Sequence, residues 1–359
     1  MPAQGHHDPE QLRMRLQTWF AARHPEAEAF TLGEITAPGT TGFSSETMLL
    51  EGTWTAGGQT HSGRWVVRSK PTEHPVFPEY DLHAQFRCMQ IVAEVTDVPV
   101  PKVRWWEPDD CVIGEPFYVM DRIEGEAPSD SPPYTVMGFL ADASPEQQRA
   151  LCEKEIALLV KLHAIDWKSA GFEFLDRSQF GPVGFTQQLG YYRDFLAWAG
   201  GGRSHPTIEA AFDYIENNPP PGRDVVGLNW GDARPSNIMV RDFEPVAVID
   251  WEMATLGPPE CDVAWFVYLN RFLSEGVGAP PLPGFPDETE IIALYEALGG
   301  RTLHNLHYYQ VWAGLRFSVI FLRIIQRMEK QGVLVPGWTE QSNMVTQFLA
   351  KVGGFPEPK

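Results

Sequence analysis

Apolar residues recur at helical spacing over 10–24, at Leu12, Leu16, Trp19 and Phe20, and Pro25 closes that segment. Strand-like stretches follow at 30–35, 47–54 and around 65–68, with Ala56-Gly57-Gly58 as the hairpin turn between the last two. Helical spacing returns over 80–94 through Phe86, Met89, Ile91 and Val92. Pro99 and Pro101 bound an extended piece, and 117–120 reads as a short apolar strand. Between the first two strands lies Pro38-Gly39-Thr40-Thr41-Gly42-Phe43-Ser44-Ser45. Its glycines let backbone approach a ligand and its hydroxyls and amides suit phosphate oxygens, although the same composition serves a plain hairpin.

Beyond residue 125 long helical patterns replace short strands. Ser144-Pro145-Glu146-Gln147 carries a helix start, with Ser144 as N-cap, Pro145 at the first position and Gln147 completing a capping box. Further helices are expected over 190–199, 207–217, 288–297 and 307–330, and 276–286 is a Gly/Pro-rich loop. The order implies an α+β chain with a sheet-rich N-terminal domain over 1–124 and a larger, mainly helical domain over 125–359. A crevice between two such domains is a usual place for a small molecule.

Bulk composition narrows the class. With 359 residues, 43% of them hydrophobic, the chain supports about two domains. A formal charge of −19 argues against nucleic acid as a partner, because a phosphate backbone demands a concentrated basic surface. The four cysteines are scattered without a C-x-x-C pair, which favours reduced thiols over a disulfide scaffold or zinc site. The first thirty residues lack the apolar region of a secretion signal, and no apolar run reaches ~18 residues. No membrane association is expected, and a cytoplasmic location follows by default. The spacing of Gly39 and Gly42 does not make a G-x-G-x-x-G dinucleotide fingerprint.

The chemistry concentrates between Leu228 and Ala264. Asp232 and Asn237 are five positions apart, 238–240 reads as a short strand, and 246–249 is its hairpin partner, ending at Asp250. Phosphoryl transfer needs a carboxylate that orients an acceptor hydroxyl and takes its proton, for which Asp232 is suited. It also needs a carboxamide and a second carboxylate to hold Mg²⁺, for which Asn237 and Asp250 are suited. Taken singly, each of the three also fits a turn cap or a strand end.

The segment resembles the Brenner-type motif of the aminoglycoside phosphotransferase-like kinases, distant relatives of protein kinases. It is most similar to the bacterial and mycobacterial branch related to the kinase domain of acyl-CoA dehydrogenase family members 10 and 11. The resemblance spans roughly 35–322, supported by Pro99-Val-Pro-Lys-Val and by Phe117-Tyr-Val-Met-Asp-Arg-Ile-Glu-Gly125. It implies a bilobal protein-kinase-like fold, ATP and Mg²⁺ as cofactors, and a small-molecule alcohol as substrate. In this resemblance Asp232 is the catalytic base, Asn237 and Asp250 are metal ligands, and Asp262 is a buried carboxylate holding the catalytic loop. Thr40, Gly42, Ser44 and Ser45 belong to the phosphate-covering loop, and Met120 and Arg122 to the hinge that meets the adenine edge.

Three positions depart from the family pattern. Trp230 stands where a histidine is usual, Arg68 replaces the phosphate-binding lysine (with Lys70 two residues on), and Gln85 replaces the helix glutamate that would pair with it. Arg234, also counted with the catalytic residues, either balances charge on the transferring phosphoryl group or braces the loop against an acidic side chain. The aromatic residues Phe185, Tyr191, Tyr192, Phe195, Trp198, Tyr308, Tyr309 and Trp312 suit a core, with a subset suited to an apolar-sided pocket. An aminoglycoside-like antibiotic or hydroxylated metabolite is the expected acceptor. A hydroxyacyl-CoA would require a basic patch, for which Arg193 and Arg316 are candidates. The alternative from another class is a nucleotide-binding pseudokinase with a regulatory role.

Overall fold

A computed structural model describes residues 9–37, 46–71 and 74–358. The chain divides into two compact units, the first comprising Met1–Pro75, Glu79–Gln90 and Pro101–Ile123, the second Val76–Pro78, Ile91–Val100 and Glu124–Lys359. The division is therefore not linear. Residues 76–78 and 91–100, which a single boundary after 124 assigns to the first domain, pack with the second unit.

The first unit holds α1 (Pro9–Ala21) and a five-stranded antiparallel sheet of order β1-β2-β3-β5-β4. The strands are β1 (Ala29–Leu32), β2 (Glu46–Ala56), β3 (Gln59–Ser69), β4 (Val103–Glu107) and β5 (Phe117–Asp121). The sequence pattern marks β4 only as an extended piece. Its burial does not alternate, with only Arg104 exposed and the other four residues half-buried, and pairing to β5 is what makes it a strand. Helix α1 lays Leu16, Trp19 and Phe20 on the sheet, beside Leu50, Trp65, Val67, Phe117 and Val119. Phe20 and Trp65 have ring centroids 4.8 Å apart, and Trp19 and Phe117 4.9 Å. Helix α2 (Leu82–Val95) begins two residues later than expected because the Asp81 side chain caps it, accepting from the Ala84 amide at 2.8 Å.

In the second unit α3 (Pro145–His163) starts on the expected box: Ser144 Oγ accepts from the Gln147 amide and Gln147 Oε1 from the Ser144 amide. After the short α4 (Trp167–Ala170) come α5 (Phe185–Gly200) and α6 (Pro206–Asn217). Helix α5 starts five residues before the expected 190. Gly190 does not begin the helix; it lets the helix pass the Phe180 carbonyl, which would lie 2.0 Å from a Cβ. Two ribbons follow, β6 (Gly227–Asn229) with β9 (Thr255–Gly257), and β7 (Ile238–Arg241) with β8 (Glu244–Val248).

Helices α7 (Glu260–Phe272), α8 (Glu288–Ala297), α9 (Leu306–Lys330) and α10 (Met344–Gly353) complete the unit. Helix α7 escapes the pattern reading because residues 260–269 are all buried, so no polar face marks its period. Helix α10 is likewise outside the sequence expectations, although Asn343 caps its Val345 and Thr346 amides. Of the aromatic residues on α5 and α9, only Trp198 is exposed, and Phe185, Tyr192 and Trp312 pack with centroids 5.0 and 5.4 Å apart. Among the described residues no helix is long and apolar enough to cross a membrane, and no cysteine is disulfide-bonded.

Two stability predictions follow from burial. Phe20→Ala empties the centre of the first unit's core and should cost about 3–5 kcal/mol, read as a lowered denaturation midpoint. Glu155, on α3, is 1% exposed and neither carboxyl oxygen has a hydrogen-bond partner among the described residues. Burial pushes its pKa from 4.5 up to about 8. Unfolded, the carboxyl ionises near its ordinary value; folded, it keeps its proton, so folding takes up a proton and stability falls as pH rises from 4.5 to about 8. Glu155→Gln removes this dependence. Thermal melts should show the variant gaining on the parent chain as pH approaches 8, with the gap closing toward pH 4.5.

Candidate active site

Two loops run between the two ribbons of the second unit. One leaves β6 and enters β7, carrying residues 230–237; the other leaves β8 and enters β9, carrying 249–254. Antiparallel register sets Ile238 opposite Val248, and the Ile249 amide donates to the Asn237 carbonyl at 2.9 Å. Asn237 and Asp250 thus emerge at the same end of one hairpin. Gly231, at φ +91°, is the close approach between the loops: a Cβ there would lie 1.9 Å from the Met253 carbonyl. Asp250 adopts φ +59°, a conformation that costs a non-glycine residue about 1 kcal/mol or more.

Three N–H groups converge on the Asp232 carboxylate. Trp265 Nε1 donates to Oδ1 at 2.7 Å, Asn237 Nδ2 to Oδ2 at 2.7 Å, and Arg234 Nε at 3.1 Å. A carboxylate offers about four lone-pair positions, so these three donors leave room for one more. Arg234 also donates through Nη1 to Asp130, whose second oxygen accepts from Ser236 Oγ. Burial lowers the Arg234 pKa, but Asp130, Asp232 and Asp250 outweigh it and hold the guanidinium charged, above its ordinary value. Of the two readings open for Arg234, the contacts are those of the brace.

The loop is fixed from beneath by Asp262, in the first turn of α7 and fully buried. Its carboxylate accepts from the Trp230 amide at 2.7 Å and the Gly231 amide at 2.9 Å. His163 Nε2 lies 3.2 Å from the same carboxylate, and its Nδ1 is 2.8 Å from the Tyr295 hydroxyl. From the other side Arg316 Nη2 donates to the Gly231 carbonyl at 2.8 Å, its guanidinium 4.5 Å from the Trp265 ring centroid. Trp230 bridges the two loops, its indole N–H donating to the Ile249 carbonyl at 3.0 Å and the Asp250 carbonyl at 3.2 Å.

The donor set suits a hard divalent cation. Both Asn237 hydrogen bonds to Asp232 use the amide nitrogen, which turns Oδ1 away from Asp232 and leaves it as the Asn237 oxygen a cation would meet. With the Asp250 carboxylate it would offer a hard cation such as Mg²⁺ two oxygen donors.

The expected nucleotide residues belong to the first unit. Thr40, Gly42, Ser44 and Ser45 lie outside the described residues. Arg68, on β3, pairs in register with Thr47 and Tyr118, and its Nη1 donates to Thr47 Oγ1 at 3.3 Å. Gln85 is buried and accepts from the Tyr118 hydroxyl at 3.2 Å. Met120 lies within β5, opposite Val66 and Val103. The Arg122 amide donates to the Arg64 carbonyl, and its guanidinium lies 3.4 Å from Glu51. Asp130 and Trp265 were missed in the sequence. The first offered only an acid in a Ser/Pro loop, and the second only one more apolar residue on a buried helix.

An N-terminal antiparallel sheet, a helical C-terminal region and this loop-and-hairpin carboxylate site have the architecture of a kinase-type phosphotransferase. The chain belongs to the phosphotransferase enzyme family, whose profile residues 42–310 match. Its fold is similar to that of a candidate aminoglycoside phosphotransferase from Ralstonia eutropha, with a TM-score of 0.65, 22% identity and 94% and 98% of the two chains covered. It is also similar to a thermostable mutant of aminoglycoside phosphotransferase APH(4)-Ia in ternary complex with AMP-PNP and hygromycin B, with a TM-score of 0.53, 14% identity and 94% and 97% covered. In sequence, probable acyl-CoA dehydrogenase IBR3 of Arabidopsis thaliana is 28% identical over 304 residues, 80% of this chain and 35% of that protein. Acyl-CoA dehydrogenase family member 11 of Gallus gallus is 30% identical over 212 residues, 58% and 25% of the two. The chain thus spans about a third or less of these relatives.

Trp265→Phe keeps the ring and deletes one donor to Asp232. Removing a hydrogen bond to a charged group costs about 1.5–3 kcal/mol, so phosphate transfer should slow about 10- to 100-fold in kcat with little change in nucleotide affinity, as read by steady-state kinetics.

Proposed function

We propose that this chain is an ATP- and Mg²⁺-dependent phosphotransferase acting on the hydroxyl of a small molecule. The observation that carries the reading is the joint placement of Asp232, Asn237 and Asp250 by one hairpin and its flanking loops. Asp232 orients the acceptor hydroxyl and receives its proton. Asn237 Oδ1 and the Asp250 carboxylate hold Mg²⁺, which when bound would neutralise charge on the nucleotide phosphates. AMP-PNP in the structurally similar APH(4)-Ia mutant supports a nucleoside triphosphate as donor. Arg68, Met120 and Arg122, with Thr40, Gly42, Ser44 and Ser45, are the residues proposed for nucleotide binding.

The acyl-CoA dehydrogenase relatives raise a hydroxyacyl thioester as acceptor, whose anionic carrier would need exposed cations. The two arginines nominated for this are otherwise engaged: Arg316 is buried under the catalytic loop, and Arg193 is paired with Glu216 at 2.7 Å. They do not form a basic patch. The pseudokinase alternative draws on Gln85, a neutral side chain held by Tyr118.

Asp232→Asn tests the assignment. Loss of a positioned base should lower ATP-dependent phosphorylation of a hydroxyl acceptor by about 10²–10⁴-fold while a fluorescent nucleotide still binds with affinity close to the parent chain's. In the same assay Asp250→Asn should raise the Mg²⁺ concentration needed for half-maximal rate. Unchanged turnover in Asp232→Asn would sink the catalytic role, and tight nucleotide binding without transfer to any alcohol would favour the pseudokinase.

A further inference from the structure

Arg234 serves two carboxylates at once. Its Nε donates to Asp232 at 3.1 Å, and its Nη1 donates to Asp130. The two contacts differ in origin. Arg234 stands two positions after Asp232 in the same loop, so local geometry alone brings the guanidinium to that carboxylate. Asp130 reaches it from 104 positions earlier in the chain. A guanidinium that is free to choose closes on a carboxylate with two parallel N–H groups, the strongest pair open to it. On Asp232, already held by Trp265 and Asn237, that fork would add a fourth donor and fill the last lone-pair position. Bracing the loop requires only that one forked pair. A second carboxylate that draws Nη1 elsewhere therefore calls for another explanation.

Asp130 is itself firmly anchored. Its second oxygen accepts from Ser236 Oγ, one residue before Asn237. Asp130 and Pro133 pair as an isolated antiparallel bridge, which folds 130–133 into a tight turn. Just beyond it the Tyr134 hydroxyl donates to Asn270 Oδ1, and the Thr135 hydroxyl donates to the Leu273 carbonyl. Tyr134 is buried, Asn270 lies on α7, and Leu273 follows the last residue of that helix. The same helix carries Trp265, which donates to Asp232 at 2.7 Å. The contacts thus close on themselves, from Asp232 through Arg234 to Asp130, along 130–135 to α7, and back through Trp265. Moving the anchor of Arg234 would break hydrogen bonds to α7, so the guanidinium is held where it stands.

We propose that Asp130 is a positioning residue for phosphate transfer: it holds Arg234 off a two-point pair with Asp232 and so keeps one position on the Asp232 carboxylate open to the acceptor hydroxyl. The inference rests on the phosphotransferase reading and adds a residue to its machinery. The transfer itself is unchanged: the hydroxyl oxygen bonds to the γ-phosphorus, the bond to the β-phosphate oxygen breaks, ADP leaves, and the hydroxyl proton passes to Asp232. Asp130 touches none of the reacting atoms and acts through Arg234.

The test uses the full chain with Mg²⁺ and ATP, with water as the acceptor and released phosphate as the readout. Asp130→Ala should lower kcat about 10- to 100-fold and leave the KM for ATP within about twofold of the parent chain's. The double variant Asp130→Ala/Arg234→Ala should turn over faster than Asp130→Ala, because the released guanidinium is gone. Loss of a merely structural contact would instead make the double variant the slower one. Asp130→Asn keeps the side chain's shape and gives the same comparison should thermal melts show the alanine variant misfolded. A crystal structure of whichever Asp130 variant folds supplies a readout independent of turnover. Arg234 should there place two nitrogens within hydrogen-bond distance of Asp232. That closure, in a protein whose parent chain turns over ATP no faster than Asp232→Asn, would support the hold on Arg234 and count against the phosphotransferase reading. An Arg234 that stays in place, an unchanged kcat where the parent chain turns over ATP, or a double variant slower than the single one would overturn the proposal.

Discussion

The Asp262 carboxylate is the constraint on which the rest of the site depends. It is fully buried at the start of α7 and accepts from two consecutive loop amides, those of Trp230 and Gly231. A buried carboxylate without such donors would be prohibitive, and buried amides without an acceptor would each cost about 1–3 kcal/mol. The pairing therefore fixes the loop relative to the helix. Trp265, on the next turn of the same helix, consequently reaches Asp232, and Arg316 closes the loop from α9. One helix end thus positions the candidate base twice, through the backbone before it and through its carboxylate.

Trp230 shows how an unusual residue can maintain such a loop. Its indole spans to the Ile249 and Asp250 carbonyls and so ties the loop carrying Asp232 to the one carrying Asp250. That tie matters because Asp250 sits at a positive φ, which the surroundings must hold. The Trp230 position is therefore a link between the Asp232 loop and the Asp250 loop. Arg68 and Gln85 differ in kind: within the first unit Arg68 donates to Thr47, and the neutral Gln85 accepts from Tyr118.

Much of the local architecture was legible in the sequence. Helix α1, the β2–β3 hairpin, the Ser144 capping box and the β7–β8 hairpin all follow from spacing, turn residues and caps within a few positions of one another. The divided first unit, helix α7 and the β6–β9 ribbon were not legible in that way. Residues 91–100 join the second unit through packing that a linear boundary does not encode, and α7 has no polar face to reveal its period.

The same division runs through the site. The sequence by itself brought Asp232, Asn237 and Asp250 into one neighbourhood, because a five-residue spacing and one hairpin hold them close along the chain. Only the tertiary structure decided what holds them: Asp130 meets Arg234 across 104 positions, Arg316 meets Gly231 across 85, and Trp265 meets Asp232 across 33. It also paired Arg234 with Asp130 and Asp232 and buried Arg316 beneath the loop. The physical reason is range. Turn chemistry and strand register act between neighbours along the chain, whereas the partner that satisfies a buried charge is chosen by which elements pack against it.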